Sequence, residues 1–86
     1  MASYKVEINK KVRKKDLFSI PSKDVVRIVK RISELSADPY PVDATKLRGR
    51  EEWRIRQGDY RILYVVNEQI VTVLVVKVGH RREIYR

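Results

Sequence analysis

The stretch EEWRIRQGDYRILY, residues Glu51 to Tyr64, decides the fold of this chain. Apolar and polar residues alternate on both sides of Gly58–Asp59, a dipeptide typical of the two-residue loops that join antiparallel strands. The alternation has the period of two that marks a half-buried strand. The stretch therefore predicts a β-hairpin whose two faces differ in chemistry.

A two-residue loop fixes which residues of the hairpin oppose each other. The predicted pairs are Gln57 with Tyr60, Arg56 with Arg61, Ile55 with Ile62, and Arg54 with Leu63. Opposed residues share a sheet face, as do residues two apart on one strand. Three arginines, Arg54, Arg56 and Arg61, are therefore expected on one face. The other face is expected to carry the core residues Trp53, Ile55, Ile62 and Tyr64.

The rest of the chain supplies a strand and two helices before the hairpin and one strand after it. SYKVEIN (3–9) alternates like a strand, KKVRKKDLFSI (10–20) suits a short basic helix ended by Pro21, and Ser22–Ser36 has helical apolar spacing with Ser22 as N-cap. IVTVLVVKV (70–78) is apolar enough for a central strand. We predict one α+β domain over residues 1–86, with both helices on one face of a four-stranded sheet that ends in a three-stranded antiparallel meander.

Charge is the strongest global property of the sequence. Its 86 residues include 20 Lys and Arg against 11 Asp and Glu, a net charge of +9. Such a balance favours nucleic acid, an anionic membrane surface or an acidic protein as the partner. Because cysteine is absent, a disulfide framework and a thiolate metal site are excluded. No run approaches the roughly 18 apolar residues of a membrane span. We expect a cytoplasmic protein with no membrane partner, cofactor or metal.

The three arginines on one face need an explanation, because like charges directly opposed in a sheet are destabilising by about 0.2–1 kcal/mol. An anionic ligand would supply the missing partner, since the planar guanidinium matches phosphate oxygens two at a time. The alternative is that the side chains splay into solvent and are screened by salt. With three arginines in a chain of charge +9, we favour a phosphate site.

The segment GHRREIYR (79–86) is expected to emerge beside the same end of the sheet. Histidine titrates near neutral pH, so His80 is a candidate for proton transfer. Arg81 and Arg82 add charge, and Tyr85 offers a ring that could stack on a base. The alternatives are a hydrogen-bonded turn histidine and a tyrosine ring folded onto the domain edge.

Three stretches together resemble the RelE/ParE toxin superfamily: KLRG (46–49), WRIRQGDYRILY (53–64) and VGHRREIY (78–85). The resemblance implies the toxin of a type II toxin–antitoxin pair, with a fold similar to microbial ribonucleases. RelE relatives cut messenger RNA in the ribosomal A site and so inhibit translation, whereas ParE relatives poison DNA gyrase. It also implies an acidic RelB-like antitoxin as partner, with the ribosome and mRNA as targets. Docking of the antitoxin is expected across the sheet and over the basic segment Lys10 to Lys15.

The resemblance also assigns residues. By position, Arg54 and Arg56 match two lysines of RelE, and Arg61, Arg81 and Tyr85 match its remaining functional residues, which favours the RelE branch. Arginine is effectively always charged, so Arg54 and Arg56 suit transition-state stabilisation better than the role of general base. His80 completes the expected catalytic set, with Glu51 or Glu52 as weaker candidates for the proton, unless the ribosome or the RNA supplies the missing group. Further RNA contacts are expected from Lys46, Arg48, Arg50, Arg82 and Tyr85.

Two alternatives to a ribonuclease remain open from the sequence. The first is a gyrase-directed inhibitor of the ParE type, which is a binding protein. The second is a non-catalytic basic module that binds nucleic acid with strong salt dependence.

Overall fold

A five-stranded sheet forms the centre of the molecule, seen in a computed structural model that describes residues 3–81. The elements are β1 (Lys5–Ile8), a π-helical turn (Val12–Asp16), α1 (Ser22–Glu34), β2 (Thr45–Lys46), β3 (Trp53–Gln57), β4 (Tyr60–Asn67) and β5 (Thr72–His80). The sheet order is β1-β5-β4-β3-β2. Strands β3, β4 and β5 form the predicted antiparallel meander, and β1 pairs parallel to β5. The α+β class is confirmed.

The predicted number of strands was one too low. Thr45 and Lys46 pair with Arg54 and Trp53 as a short antiparallel edge strand, so the sheet has five strands. Both residues are exposed, and neither shows the alternation of buried and exposed side chains that a longer strand requires. Two residues are too few to leave a pattern in the sequence.

The predicted basic helix is a π-helical turn. Leu17 N–H donates to the carbonyl of Val12 at 2.9 Å, five residues back, which is the hydrogen bond of a π-helix. Val12 is buried, and the basic residues around it are exposed. The wider turn lets one side chain enter the core while its basic neighbours stay in water.

Helix α1 lies where its apolar spacing predicted, and it ends two residues earlier than the predicted Ser36. Pro21 occupies the N-cap position at φ −53° and ψ 141°, and no side chain caps the helix. Ser22, the predicted N-cap, is instead the first helical residue, because its backbone already follows the helix. The helix ends at Glu34, and Leu35 N–H donates to the carbonyl of Ile32 at 3.0 Å in a tighter final turn.

One apolar core joins the helices to the sheet. Its fully buried members include Ile28 and Ile32 from α1, Ile55 from β3, and Ile62 and Tyr64 from β4. Strand β5 contributes Val73, Val75 and Val78. We call the side of the sheet that carries these residues the core face. Since the π-helical turn buries Val12 in the same cluster, both helical segments cover that one face, as predicted.

A bulge in β5 keeps its apolar residues on the core face. Leu63 of β4 opposes Lys77, and the next residue, Tyr64, opposes Val75, so Val76 has no partner. Val75 and Val78 are three residues apart, and strict alternation would place them on opposite faces. The extra residue allows both to be buried, at 0% and 3% exposure. Val76 and Lys77 consequently lie off the core face.

No helix in residues 3–81 is long and apolar enough to cross a membrane.

The buried hydroxyl of Tyr64 gives a first prediction. Tyr64 is fully buried, and its hydroxyl donates to the backbone carbonyl of Pro39 at 2.6 Å. We expect Tyr64→Phe to destabilise the fold by about 1–3 kcal/mol, because the buried carbonyl loses its partner. In a domain of this size each kcal/mol lowers the melting temperature by roughly 4–8 °C, which thermal unfolding will measure.

Tyr40→Phe is the matched control. The Tyr40 hydroxyl donates to Glu68 at 2.7 Å in an exposed position, so its loss should change stability by less than about 0.5 kcal/mol. Equal losses from the two variants would contradict a special role for the buried bond.

Candidate active site

The hairpin places three arginines side by side on the outer surface of the sheet. The observed register matches the predicted one in every pair: Gln57 with Tyr60, Arg56 with Arg61, Ile55 with Ile62, and Arg54 with Leu63. Gly58 begins the loop at a φ of 60°, a left-handed conformation that glycine adopts easily. Because Ile55 and Ile62 are in the core, Arg54, Arg56 and Arg61 lie on the opposite side. We call this side the arginine face.

Arg81 extends the arginine face beyond the end of β5. Gly79 directly opposes Arg61, and Arg81 follows two residues later on the same side. The Arg81 N–H donates to the carbonyl of Asp59 at 2.9 Å, which fixes the backbone beside the hairpin loop. Its charge contributes to lowering the pKa of Arg61. All four predicted catalytic arginines therefore share one surface.

Arg61 is the central group of this surface. Its Nε and Nη1 atoms are buried, and neither makes a hydrogen bond with any residue between 3 and 81. Burial is the main cause that lowers the pKa of Arg61, followed by the charges of Arg56, Arg54 and Arg81. Arginine nevertheless stays protonated at neutral pH. A buried, charged donor surrounded by like charges is a preformed site for an anion.

Gly79 leaves free space next to Arg61. A Cβ placed on Gly79 would meet no atom within 4 Å, and its φ is not one that requires glycine. The absence of a side chain opposite Arg61 therefore keeps this part of the surface open for a ligand.

An ion pair between Arg31 and Asp43 holds the backbone of Arg56, at the edge of β3 that faces away from β4. Because β2 is only two residues long, it does not reach Arg56. Arg31 of α1 lies there instead: its Nε donates to the Arg56 carbonyl at 3.4 Å, and its Nη2 forms an ion pair with Asp43. The hydrogen bond from Arg31 is the main cause that lowers the pKa of Asp43, and the Arg56 N–H lowers it further. This pair replaces the missing strand and orients β3.

His80 is not brought together with the arginines. It opposes Tyr60, two pairs beyond Ile62 and Val78, so it lies on the core-face side of the sheet. The rings of Tyr60 and His80 meet edge to face, 5.9 Å apart at 85°. His80 borders a cavity of about 340 Å³ shared with Asp16 and Ser19. The sequence had predicted the correct end of the sheet for Gly79 to Arg81, the described part of the tail, but not which face each residue lies on.

The two glutamates are also poor candidates for proton transfer. Glu52 accepts two hydrogen bonds from Arg50, at 3.1 and 3.0 Å, and this contact is the main cause that lowers its pKa. A carboxylate with a lowered pKa is a weaker base. Glu51 is exposed and borders a separate groove with Lys46 and Trp53.

The predicted RNA contacts in the β2–β3 connection are mostly engaged within the protein. Lys46 Nζ donates to the Arg50 carbonyl at 2.5 Å, and Arg50 is paired with Glu52. Arg48 is exposed. The remaining predicted residues, Arg82 and Tyr85, lie outside the described part of the chain. Arg48 is thus the member of this segment best placed for a ligand.

Lys77 is a residue of the arginine face that the sequence prediction missed. It opposes Leu63, whose other neighbour is Arg54, so all three lie in one row across the sheet. Lys77 is exposed, whereas Leu63 has only 3% exposure. The sequence did indicate that Lys77 is unusual, because it is the single charged residue of the predicted strand IVTVLVVKV (70–78). Its face could not be assigned without knowing of the bulge at Val76.

No group of three or more potential metal ligands occurs within residues 3–81.

Comparison with known proteins agrees with this arrangement. Residues 6–85 match the family described as ParE toxin of the type II toxin–antitoxin system. This chain belongs to the RelE/ParE toxin superfamily. It is a toxin of a type II toxin–antitoxin system.

Individual RelE/ParE toxins resemble the chain over nearly its full length. The toxin named RelE1 from Methanocaldococcus jannaschii is 31% identical, with 96% of each chain aligned. The archaeal RelE–RelB complex from Pyrococcus horikoshii gives a TM-score of 0.80 at 32% identity, covering 93% of this chain and 97% of the other. The RelBE2 toxin–antitoxin complex from Mycobacterium tuberculosis gives 0.81 at 28%, covering 93% and 100%. The suspected superfamily and its fold are confirmed.

The unpaired donors of Arg61 predict a response to anions. We expect Arg61→Met to be as stable as the native toxin, or more stable by up to about 1 kcal/mol, because it removes like-charge repulsion and keeps the apolar stem. Sulfate should raise the melting temperature of the native toxin more than that of the variant, compared at equal ionic strength with chloride.

The control is Arg27→Met, an exposed arginine of α1. It should retain the full response to sulfate. If Arg61→Met and the native toxin respond equally, Arg61 does not form an anion site.

The Arg31–Asp43 pair predicts a dependence of stability on pH. The folded state lowers the pKa of Asp43, so its contribution is present above the ordinary value near 4 and is lost as pH falls below it. The Asp43 side chain is 41% exposed, so we expect a contribution below about 1 kcal/mol. In urea unfolding, the gap between the native toxin and Asp43→Asn should close between pH 6 and 3.

Glu51→Gln serves as the control, because its exposed carboxylate forms no ion pair with residues 3–81. Its stability curve should run parallel to that of the native toxin. A constant gap for Asp43→Asn over the same range would contradict the assignment.

Proposed function

We propose that this toxin is an endoribonuclease that cuts messenger RNA in the ribosomal A site, with the arginine face as its phosphate-binding surface. The observation that carries the proposal is the convergence of Arg54, Arg56, Arg61 and Arg81 on one face, with Arg61 holding two buried donors unpaired within the described chain. If the arginine face only contacted solvent, burying the charged Arg61 guanidinium without a partner would lower the stability of the fold and bring no benefit.

The chemistry follows from the charge. Attack of a ribose 2′-oxygen on the neighbouring phosphorus creates a phosphorane with more negative charge than the ground state. Guanidinium groups already fixed in position stabilise that charge without reorganising, and they do so more strongly where water is partly excluded. Arg61 is the partly buried group, so we assign it the developing charge, with Arg54, Arg56 and Arg81 positioning the RNA backbone.

Proton transfer needs other groups. Arginine cannot readily give up its proton, His80 lies across the sheet, and Glu52 is held by Arg50. We therefore assign the removal of the 2′-hydroxyl proton to the RNA or the ribosome. If the ribosome supplies that group, cleavage depends on the ribosome, and free RNA is left uncut.

A cell-free translation system with a defined message tests the proposal. The native toxin should stop translation and leave fragments cut at the A-site codon, and it should leave the same message intact without ribosomes. Arg61→Ala should cut at least about 10²-fold more slowly, the usual cost of losing a transition-state donor. Arg27→Ala, on the helix side, should match the native toxin. Intact message and unhindered translation with the native toxin would refute the proposal.

We also propose an acidic antitoxin of the RelB type as partner. The solved relatives from Pyrococcus horikoshii and Mycobacterium tuberculosis are complexes of a toxin with its antitoxin. The net charge of +9 suits an acidic partner, which would dock over the arginine face and the basic segment Lys10 to Lys15. In the same translation assay, a stoichiometric amount of this antitoxin should restore protein synthesis.

Inhibition of DNA gyrase is the second candidate, because the matching family description names ParE. It requires no proton transfer and hence no acid or base on the arginine face. A supercoiling assay with purified gyrase separates the two functions, since gyrase poisoning alone predicts trapped, cleaved DNA.

A further inference from the structure

We propose that Lys77 is a further catalytic residue, the general acid that protonates the 5′-oxygen leaving group during RNA cleavage. The inference rests on the proposed ribonuclease function and goes beyond it by naming one of the groups that move protons. The inference rests on the register of β5, which places Lys77 on the arginine face.

The bulge at Val76 determines the location of Lys77. Lys77 opposes Leu63, and Leu63 lies between the core residues Ile62 and Tyr64 along β4, so its side chain is on the other side. Lys77 therefore shares that side with Arg61. In an antiparallel pair, residues related diagonally in this way are about 7–8 Å apart, within reach of a lysine side chain.

The surroundings of Lys77 leave its ammonium group accessible. Strand β1 covers β5 only from Thr72 to Val75, and beyond it Asp16 of the π-helical turn accepts a hydrogen bond from the Val78 N–H at 3.0 Å. Lys77 borders the cavity of about 340 Å³ beside Asp16. Its side chain is exposed, and Gly79, two residues along on the same face, adds no side chain. An RNA backbone bound to Arg61 over the open surface of Gly79 would pass directly beside Lys77.

The charged groups of the arginine face differ in what they can do with a proton. Arg54, Arg56, Arg61 and Arg81 are permanent cations, so they bind phosphate and do not transfer protons. A lysine ammonium carries three protons and can donate one to an oxygen that becomes a strong base as its bond to phosphorus breaks. Lys5 and Glu7 also lie on this side, but they pair with each other at 3.3 Å beside Thr72, at the far end of β5.

The proposed step balances as follows. The 2′-oxygen forms a bond to phosphorus while its proton passes to the RNA, the ribosome or solvent. The bond from phosphorus to the 5′-oxygen breaks, and its electron pair stays on that oxygen, which takes a proton from Lys77 Nζ. The products are a 2′,3′-cyclic phosphate and a 5′-hydroxyl, and the neutral Lys77 regains a proton from solvent.

The test replaces the leaving-group oxygen. Ribosomes are programmed with a message that carries sulfur in place of the scissile 5′-oxygen, because a thiolate leaves without being protonated. On the ordinary message, Lys77→Met and Lys77→Arg should both cut about 10²-fold more slowly than the native toxin or worse, a typical effect for general acid catalysis. On the sulfur-substituted message, both should cut within a few-fold of the native rate.

Lys5→Met is the matched control, the same substitution on the same side of the sheet at a distance from Arg61. It should equal the native toxin on both messages. Unchanged melting temperatures for the Lys77 variants will show that the exposed substitutions leave the fold intact.

Each outcome distinguishes one part of the proposal. Native-like cutting by Lys77→Arg, or an equal defect of Lys77→Met on both messages, would overturn the role as an acid and leave the ribonuclease function standing. If the native toxin cuts neither message on ribosomes, the ribonuclease function fails and the role of Lys77 fails with it.

Discussion

The register of the β3–β4 hairpin is the constraint on which the rest of the molecule depends. Burying side chains such as Ile55, Ile62 and Tyr64 is worth about 1.5–3 kcal/mol for each large apolar group. Opposing Arg56 and Arg61 costs at most about 1 kcal/mol. A shift by one residue would exchange the two sets, so the core holds the register firmly. The like-charged surface is thus sustained by the packing on the opposite side of the same two strands.

The sequence predicted the hairpin correctly because its information is local. A two-residue loop and strict alternation specify the pairing of Arg54 to Gln57 with Tyr60 to Leu63, and the helix over α1 follows equally from apolar spacing. Features that depend on distant partners were missed. Strand β2 is too short to show a pattern, and the bulge at Val76 arises from matching β5 to β4 and to the core together. The π-helical turn likewise depends on Val12 reaching a core that the local sequence does not describe.

The difference between local pattern and distant partners also explains which parts of the candidate site could be predicted. The three hairpin arginines could be located from the sequence, and the structure joins Arg81 to them. The face of His80 could not be predicted, because the bulge in β5 changes the alternation between the apolar run and the tail. His80 lies beside Tyr60, so its imidazole is not on the arginine face. Lys77, in contrast, lies on the arginine face.

The unpaired residue at position 76 also separates two halves of β5 that would otherwise be rigidly linked. Removing that single residue would restore regular alternation, with Val75 and Val78 still inward and Lys77 still outward. Loss of Val75 or Lys77 would likewise leave the rest of the strand in place, because Val76 would take the vacated position. Changes in chain length along this strand should therefore be accommodated at one point. Over evolutionary time, related toxins could bend or straighten the sheet there without altering which side chains lie on the arginine face.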